Sequence, residues 1–331
     1  MRILITGASG QIGSNLGLRC LAAGHHVWGV DTRPNIWVDA FPTMLHDLTD
    51  PSASQALIAA QRLHGRPDLV VHLAAHAKVH KLVLEPRLAL ENIAMVQQAL
   101  EYCRSEQLPV IFASSREVYG NVIRETTQED DADFAQAASP YAASKIAGEA
   151  LVRSYGRCYG LPWLIFRLSN VYGRYDNDTD RMERVIPLFA RKLIAAEPLT
   201  VYGADKVLDF THVDDCVAGL TAGIDQLAAG SIASETFNLA CGQGHSLLQM
   251  AHWLAEALGR QPDIRLAPNQ VGEVTRYVAN ISKARRVLGY EPVVPLRHGL
   301  NSVAAATELA SATGVPKHTS TATTLRAGQS K

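Results

Sequence analysis

The feature that most constrains the fold is a regular alternation between short apolar runs and helical stretches in the first half of the chain. The apolar runs are RILIT, HVWGV, LVVHLA, PVIFAS and PWLIFRL, and the helical stretches include 11–23, 51–64, 86–107 and 140–158. Continuous apolar strands separated by helices are typical of a parallel sheet that is covered on both faces. The sequence therefore predicts an α/β fold built on a doubly wound parallel sheet.

The alternation becomes irregular from about residue 173, where polar and proline-bearing loops replace it. We expect residues 1–172 to form the main domain, with 205–242 returning to it. Residues 173–204 and 243–312 are then expected to form a smaller C-terminal lid domain. The segment 315–331 is polar and lacks an apolar face, so we expect it to be a disordered tail.

Composition and charge exclude several classes of protein. The chain has 331 residues, is 47% hydrophobic and 19% charged, and carries a net charge of -1, which is typical of a globular protein. It has no basic run interleaved with aromatic residues, so we expect no nucleic-acid partner. No apolar run approaches the roughly 18 residues of a membrane span, and the start MRILITG reads as a strand rather than a signal peptide. We therefore expect a cytoplasmic protein.

Cysteines and histidines do not form a metal-binding pattern. The five cysteines are scattered without a C-x-x-C pair, so neither a disulfide framework nor a zinc site is predicted. His72, His76 and His80 recur every four residues, but His72 ends a predicted strand. The three imidazoles therefore cannot share one helix face, and we predict no metal.

A glycine-rich turn follows the first predicted strand, in the stretch LITGASGQIGSNL. Gly7, Gly10 and Gly13 open an amphipathic helix, and Asp31 ends the second strand, HVWGVD. Glycines in this setting let the backbone approach a pyrophosphate, whose charge meets the helix N-terminus, and an acidic residue at the Asp31 position holds the ribose. The pattern predicts a Rossmann-type dinucleotide site.

Asp31 also bears on which dinucleotide is bound. A carboxylate can accept hydrogen bonds from the ribose hydroxyls and would repel a 2′-phosphate, so NAD is favoured over NADP. Arg33 keeps NADP as an alternative, although a solvated loop cation before Pro34 is the favoured interpretation of this residue.

A second chemical signal lies in SPYAASKIAGEA, where Tyr141 and Lys145 are four residues apart and share a helix face. A phenol with an ordinary pKa of about 10 becomes a usable base if a fixed ammonium stabilises its phenolate. Ser114 and Ser115 end the strand just upstream, at the edge where parallel sheets bind ligands. One of these hydroxyls could hold the substrate oxygen while Tyr141 takes its proton.

The chain resembles the extended short-chain dehydrogenase/reductase family, the NAD-dependent nucleotide-sugar epimerases and dehydratases. The matching pieces occur in the family's order between residue 3 and about residue 300. They are GASGQIG, HDL at 46–48, HLAA at 72–75, SSREVYG, YAASK, RLSNVYG at 167–173, LDFTHVDD at 208–215 and FNLACGQGHSL. The resemblance implies that the main domain binds NAD and that the lid binds a nucleotide sugar.

The resemblance also implies a role for individual residues. Those expected at the cofactor are Gly7, Gly10, Gln11, Ile12, Gly13, Asp31, Asp47, Leu48, Ala74, Ala75, Asn92, Tyr141 and Lys145. Those expected in catalysis are Ser115, Tyr141, Lys145 and Glu117. Those expected at the substrate are Ser115, Arg116, Asn170, Arg181, Tyr202 and Arg276. Counting back from VYG selects Ser115 rather than Ser114 for the catalytic hydroxyl.

The reaction implied by the family begins when Tyr141 takes a proton from a sugar hydroxyl while hydride passes to the nicotinamide. An epimerase then lets the keto sugar turn over and returns the hydride to its other face, whereas a dehydratase first eliminates water. We favour the epimerase, with a dehydratase or decarboxylase as the alternative. The family also implies a homodimer formed through helices 86–107 and 140–158.

Arg116 and Glu117 occupy the positions at which family dehydratases commonly carry an acidic pair. An arginine cannot act as a general acid, because its pKa exceeds about 12, whereas Glu117 could still be a base. We hypothesise that Arg116 contacts an anion, either a sugar carboxylate or a phosphate.

Two further departures from the family pattern are Leu208, which stands where an arginine usually pairs with the diphosphate, and Gln270, which stands where a second arginine is usual. Lys206, Arg174, Arg181 and Arg276 are candidate replacements. The two departures keep open a dehydrogenase of a small, non-nucleotide hydroxy compound. A non-catalytic NAD-binding protein is a third class, and the set of Ser115, Tyr141 and Lys145 argues against it.

Overall fold

The computed structural model describes residues 1–121, 124–176 and 184–313. The strands in these ranges are β1 (Arg2–Thr6), β2 (His26–Asp31), β3 (Thr43–Leu45), β4 (Leu69–His72), β5 (Val110–Ser115), β6 (Trp163–Leu168), β7 (Asn170–Tyr172), β8 (Leu199–Tyr202), β9 (Val207–His212), β10 (Glu235–Leu239), β11 (Gly244–Ser246), β12 (Ile264–Ala267) and β13 (Arg276–Tyr277). The helices are α1 (Gln11–Ala22), α2 (Ala53–His64), α3 (Val79–Leu84), α4 (Arg87–Glu106), α5 (Pro140–Tyr159), α6 (Val185–Ile194), α7 (Val213–Ala228), α8 (Leu247–Ala257), α9 (Ser282–Leu288) and α10 (Leu296–Thr313).

Seven of the described strands form one sheet in the order β10-β6-β5-β4-β1-β2-β3, with every neighbouring pair parallel. From β1 the chain builds outward in one direction through β2 and β3, and then in the other through β4, β5 and β6. The reversal places a switch point between β1 and β4, where sheets of this kind bind ligands in a crevice at the carboxyl ends of the strands. The predicted α/β class with a doubly wound parallel sheet is confirmed.

Helices cover both faces of this sheet because successive strand side chains point to opposite sides. Ile3 and Ile5 of β1 are buried in a core with α1 and α7, whereas Leu4 between them is buried in a second core with α2, α4 and α5. A third core lies among α6, α8 and α10 and holds Phe189 and Met250.

The region 205–242 divides between two sheets. Strand β10 joins the edge of the main sheet beside β6, and α7 packs against α1 and β6. Strand β9 instead pairs with β7, β11 and β13 in a small separate sheet. Strand β7 follows β6 after a single residue, so this small sheet begins at the carboxyl end of β6.

The helix that carries Tyr141 is fixed at both ends. The Ser139 hydroxyl accepts a 3.1 Å hydrogen bond from the Ala142 amide, and Pro140 occupies the first turn. Gly160 ends the helix. These signals fix the start of α5, and hence the position of Tyr141 in its first turn.

The five apolar runs singled out in the sequence all form strands of the main sheet, and the four helical stretches form α1, α2, α4 and α5. The expected tail 315–331 and the expected substrate residue Arg181 lie outside the described residues.

Candidate active site

The three glycines of the first turn differ in what surrounds them. Gly7 has a φ of +70°, and a Cβ on it would lie 2.8 Å from the Ala74 nitrogen. A Cβ on Gly13 would lie 2.4 Å from the carbonyl oxygen of Gly7. At Gly10 the nearest atom is that same oxygen, at 3.2 Å. Gly7 and Gly13 are therefore required by the turn and its packing, whereas Gly10 leaves room for a ligand to approach the backbone.

The N-terminus of α1 is suited to an anion. Its cap, Gly10, brings no side chain that could occupy the first amides, and the first turn of Gln11, Ile12 and Gly13 carries no charge. The helix dipole and these amides favour a bound phosphate group. The side-chain oxygen of Gln11 accepts a hydrogen bond from Arg184, which precedes α6, and this bond links the glycine turn to the start of that helix.

The carboxylate expected at the ribose is buried at the end of β2. The Ser9 amide donates a 3.1 Å hydrogen bond to Oδ2 of Asp31. Arg33 is half-buried rather than freely solvated, and its Nη2 lies 3.5 Å from the Ser9 carbonyl oxygen. Asp31, Ser9 and Arg33 therefore form one group of contacts at the rim of the glycine turn.

Thr6 and Asn92 fix the segment that holds Ala74 and Ala75. The Thr6 hydroxyl oxygen accepts 3.2 Å hydrogen bonds from the amides of Leu73 and Ala74. The Asn92 side chain accepts from the His76 amide at 2.7 Å, and donates to the His76 carbonyl and to the Ser144 hydroxyl. Asn92 on α4 therefore ties this segment to α5 through Ser144.

Asp47 and Leu48 lie beyond β3. Asp47 is exposed, and its carboxylate accepts hydrogen bonds from the amide and hydroxyl of Thr49. Leu48 is 3% exposed and packs in the core with α2 and α4. Asp47 thus stabilises the turn before α2, and Leu48 fixes the same turn to the core.

Ser115, Tyr141 and Lys145 lie together at the carboxyl end of β5. The Ser115 hydroxyl is hydrogen-bonded to the Tyr141 phenol, and its oxygen also accepts from the Glu117 amide at 3.2 Å. The Lys145 ammonium lies 5.8 Å from the centre of the Tyr141 ring. Ser114 is engaged elsewhere, since its hydroxyl donates a 2.6 Å hydrogen bond to Glu149. Ser115 is thus the serine that faces the phenol.

Burial perturbs the pKa values of both ionisable members of this group. It raises the pKa of Tyr141 to about 12, and the hydrogen bond with Ser115 acts in the opposite direction. It lowers the pKa of Lys145 to about 8. Before any ligand enters, the phenol is therefore neutral at physiological pH and the amine is close to its own pKa. A cationic group in the crevice would favour the phenolate.

Arg116 and Glu117 form an ion pair next to this group, in a short 3₁₀ helix over Arg116–Tyr119. Nη2 of Arg116 lies 2.9 Å from Oε1 of Glu117, and the two side chains are 12% and 4% exposed. The Arg116 guanidinium also stands over the ring of Tyr277. Burial raises the pKa of Glu117, whereas the charge of Arg116 lowers it. The anion in contact with Arg116 is therefore a carboxylate of the protein itself.

The expected phosphate-binding replacements occupy different surroundings. Lys206 is buried and paired with Glu273 at 2.6 Å, directly before β9 and two residues from the buried Leu208. Arg174 is exposed and paired with Asp214, and Arg276 is exposed with its Nε directed at the Arg124 carbonyl. Of these three cations, Lys206 is the one buried beside the crevice.

Asn170 and Tyr202 complete the expected substrate residues within the described ranges. The Asn170 side chain donates a 2.9 Å hydrogen bond to the Asp209 carbonyl, across β7 and β9 of the small sheet. Tyr202 ends β8 and is 41% exposed. The two residues therefore belong to different sheets, since β8 pairs with β12 and β7 pairs with β9.

Sequence reasoning missed the buried pair of Glu149 and Arg167. Arg167 donates to both carboxylate oxygens, through Nε at 2.8 Å and Nη2 at 2.7 Å. Glu149 also receives the Ser114 hydroxyl, so the pair supports the strand end that carries Ser115. The available signal was an arginine inside the apolar run WLIFRL, since a charge there requires a partner.

Two kinds of feature are absent from residues 1–121, 124–176 and 184–313. These ranges contain no group of three or more His, Cys, Asp or Glu side chains that could hold a metal ion. None of the helices in the same ranges is both long and apolar enough to cross a bilayer.

The strand order, the glycine turn and the Tyr-Lys helix define the class, which is the extended short-chain dehydrogenases/reductases. The model of the NAD dependent epimerase/dehydratase family matches residues 3–240. The chain therefore belongs to this family, and the resemblance recognised in the sequence is confirmed.

Relatives and solved structures are similar over nearly the whole chain. A Bacillus subtilis protein described as an uncharacterized UDP-glucose epimerase is 30% identical, over 91% of this chain and 96% of its own length. A Thermotoga maritima UDP-glucose 4-epimerase solved with UDP-glucose has a TM-score of 0.84 at 28% identity, covering 93% of this chain and 100% of that one. A Bacillus cereus UDP-glucuronic acid 4-epimerase, solved with UDP-glucuronic acid and NAD, has a TM-score of 0.83 at 28% identity, covering 93% and 99%.

Proposed function

We propose that this protein is an NAD-dependent epimerase that inverts C4 of a UDP-sugar through a transient keto sugar. The observation that carries the proposal is the Ser115, Tyr141 and Lys145 group at the switch-point edge of the sheet, in a chain of the epimerase/dehydratase family. The similar 4-epimerases support the same reaction and the nucleotide. The domain division expected from the sequence is part of the proposal, with residues 1–172 and 205–242 binding NAD and the lid binding the sugar nucleotide.

NAD is the cofactor, and the residues of the crevice fit it. The uncapped start of α1 behind Gly10 would meet the pyrophosphate, and the buried Asp31 carboxylate would accept the ribose hydroxyls. Ala74 and Ala75 would line the opposite wall, beside β4. When bound, NAD accepts a hydride from the sugar and returns it within one turnover, so none is consumed.

The chain's own part in the reaction is a proton transfer at the Tyr141 oxygen. Ser115 would hold the reacting sugar oxygen, and Tyr141 would take its proton as general base and later return it. Lys145 would stabilise the phenolate, because its ammonium stands over the same ring. This stabilisation of the phenolate is needed, because the surroundings of Tyr141, its burial above all, raise its pKa to about 12.

The pairing of Arg116 with Glu117 supports an epimerase over a dehydratase. Elimination of water needs a general acid for the leaving hydroxyl, and the guanidinium cannot supply a proton at neutral pH. Glu117 lies 2.9 Å from that cation, but burial has the larger effect on its carboxyl group and raises its pKa. The argument against a dehydratase therefore rests on Arg116, which replaces the acid expected at the first of the two positions.

We also propose a homodimer that forms through α4 and α5. The two helices pack against each other, and the outer face of α4 keeps the apolar side chain of Leu90, which is 70% exposed. Such a face is suited to a second copy of the same pair of helices. The enzyme would act in the cytoplasm, a location in keeping with its free cysteines.

The test is to incubate the purified protein with UDP-glucose, UDP-galactose and UDP-glucuronate, each with NAD, and to follow products by NMR. Interconversion of C4 epimers without accumulation of NADH supports the proposal. A deoxy-keto sugar or released carbon dioxide would assign the chain to elimination or decarboxylation instead. Stoichiometric NADH would indicate a net dehydrogenase.

A further inference from the structure

The ion pair of Arg116 and Glu117 leaves one hydrogen-bonding atom of each side chain unused. Contact is made between Nη2 and Oε1. Nη1 of Arg116 and Oε2 of Glu117 are buried, and neither finds a hydrogen-bond partner in the described part of the chain. Buried polar atoms are nearly always paired, because leaving them unpaired is costly. One donor and one acceptor of this pair are therefore available to a ligand.

This pair stands beside the reacting group of the proposed epimerase. The amide of Glu117 donates to the Ser115 hydroxyl, which is itself bonded to Tyr141. The charges of both Arg116 and Glu117 also act on the pKa of Tyr141. A sugar whose C4 oxygen is held by Ser115 and Tyr141 would thus place its neighbouring substituents near the pair.

The charges around Arg116 are already balanced within the protein. Glu117 neutralises it directly, and Lys206, the other buried cation near Glu117, is neutralised by Glu273 at 2.6 Å. Asp209, which also acts on this region, accepts hydrogen bonds from three backbone amides. A substrate carboxylate that accepts a hydrogen bond from Arg116 would therefore lie next to the Glu117 carboxylate and be repelled by it.

We propose that Arg116 and Glu117 together bind the C6 hydroxymethyl group of the sugar, and so select a neutral hexose over a hexuronate. A hydroxyl can accept from Nη1 of Arg116 and donate to Oε2 of Glu117, whereas a carboxylate only accepts. The sugar hydroxyl groups nearest to the one on C4 are those on C3 and C6. The C6 hydroxyl lies on a rotatable arm and can adjust to a fixed donor and acceptor, whereas the C3 hydroxyl is attached directly to the ring. The inference rests on the proposed epimerase function and adds the class of its sugar.

The experiment measures the dissociation constants of UDP-glucose, UDP-glucuronate and UDP-xylose with the NAD-loaded full-length protein by calorimetry. These three ligands carry at C5 a hydroxymethyl group, a carboxylate and no carbon substituent. We expect the wild type to bind UDP-glucose at least about tenfold more tightly than either of the others. UDP-glucuronate lacks the hydroxyl donor and brings a negative charge near Glu117, and UDP-xylose lacks the oxygen on C6.

One variant and one matched control test the effect of the Glu117 charge on ligand choice. In Glu117→Gln the opposing carboxylate is removed, and we expect UDP-glucuronate to gain about tenfold in affinity relative to UDP-glucose. Glu256→Gln is the matched control, because it removes an exposed carboxylate that is paired with Arg297 at 2.6 Å. The control should leave the ratio unchanged.

The wild-type measurement decides the inference even if Glu117→Gln does not fold. Equal or tighter binding of UDP-glucuronate by the wild type, or equal binding of UDP-xylose, would overturn the selection of a neutral hexose and leave the epimerase function standing. An unchanged ligand ratio in a folded Glu117→Gln protein would also overturn it. No binding of any of the three ligands would overturn both proposals together.

Discussion

The ammonium of Lys145 donates a 2.8 Å hydrogen bond to the carbonyl oxygen of Ala113, in the strand that ends at Ser115. This bond fixes the cation relative to the strand rather than only to its own helix. Because Tyr141 lies one helical turn earlier on α5, the phenol, the ammonium and the serine hydroxyl are held in one arrangement. The proton-transfer group is therefore preorganised by the join between β5 and α5.

Replacing Tyr141 by phenylalanine tests this arrangement. The variant keeps the ring and its packing but loses the group that moves the proton, so we expect turnover of UDP-glucose to fall by about 10²–10⁴-fold. Affinity for NAD should be nearly unchanged. The assay is product formation by NMR, together with NAD titration. Tyr155→Phe, the same change farther along α5, is the control and should retain activity; a Tyr141→Phe protein of near wild-type rate would contradict the assignment.

The pH dependence of the rate tests the influence of Arg116 and Glu117 on that phenol. The negative charge of Glu117 raises the pKa of Tyr141, and the positive charge of Arg116 lowers it. A general base acts in its deprotonated form, so activity rises with pH through this pKa. We expect Glu117→Gln to move that rise to lower pH and Arg116→Met to move it to higher pH, in profiles of kcat/KM. Shifts in the same direction for both variants would be inconsistent with the two opposite charges.

The glycine turn allows packing and binding to be separated. A Cβ at position 13 would lie 2.4 Å from the Gly7 carbonyl oxygen and 2.8 Å from the Ala8 Cα, so Gly13→Ala should destabilise the fold by about 1–3 kcal/mol. A Cβ at position 10 meets only one atom, at 3.2 Å, but occupies the space left for the cofactor. Gly10→Ala should therefore fold and bind NAD more weakly. Urea unfolding and NAD titration of both variants check this, and the reverse pattern would refute it.

The amino-acid sequence is sufficient to predict the parts of the site that depend on strand order and local spacing. The alternation of apolar runs and helices predicts the parallel sheet, and Tyr141 and Lys145 are four residues apart on one helix. Strand ends in such a sheet meet at the edge where ligands bind, which places Ser114 and Ser115 near Tyr141. The family resemblance then selects Ser115.

The charge pairing cannot be predicted in the same way. Arg116 and Glu117 are adjacent in sequence, and adjacent side chains do not face each other on an ordinary helix or strand. They meet because a 3₁₀ turn follows β5 at this point. Lys206 and Glu273 lie on segments far apart in the chain, so their contact depends on the tertiary fold. The hypothesis that Arg116 holds a substrate anion does not consider that Glu117 is already paired with Arg116, or that Glu273 is paired with Lys206.

Loss of the Glu149 carboxylate should destabilise the fold far more than loss of an exposed one. Glu149 receives two hydrogen bonds from the buried Arg167 and one from Ser114. Glu149→Ala would leave a buried guanidinium without its partner, a change that typically costs about 3–5 kcal/mol. Glu256→Ala, in an exposed pair with Arg297, should cost less than about 1 kcal/mol. Urea unfolding of both proteins makes the comparison, and similar losses would show that Arg167 finds another partner.

His72 should make the fold sensitive to acid. It is 2% exposed, and burial lowers its pKa to about 3, well below the ordinary value. The Thr6 hydroxyl oxygen already accepts two amides, so its proton is directed at Nδ1 of His72, 2.8 Å away, which requires a neutral imidazole.

The unfolded chain binds a proton at His72 below a pH of about 6.5, whereas the folded chain does not until a pH of about 3. This contribution to stability is therefore complete above pH 6.5 and is lost as the pH falls toward 3. Below about pH 6.5, His72→Asn should reduce the slope of the unfolding free energy by up to about 1.4 kcal/mol per pH unit relative to wild type. Urea unfolding between about pH 7.5 and about pH 5 measures that difference, and parallel slopes in the two proteins would mean that the imidazole accepts its proton without unfolding.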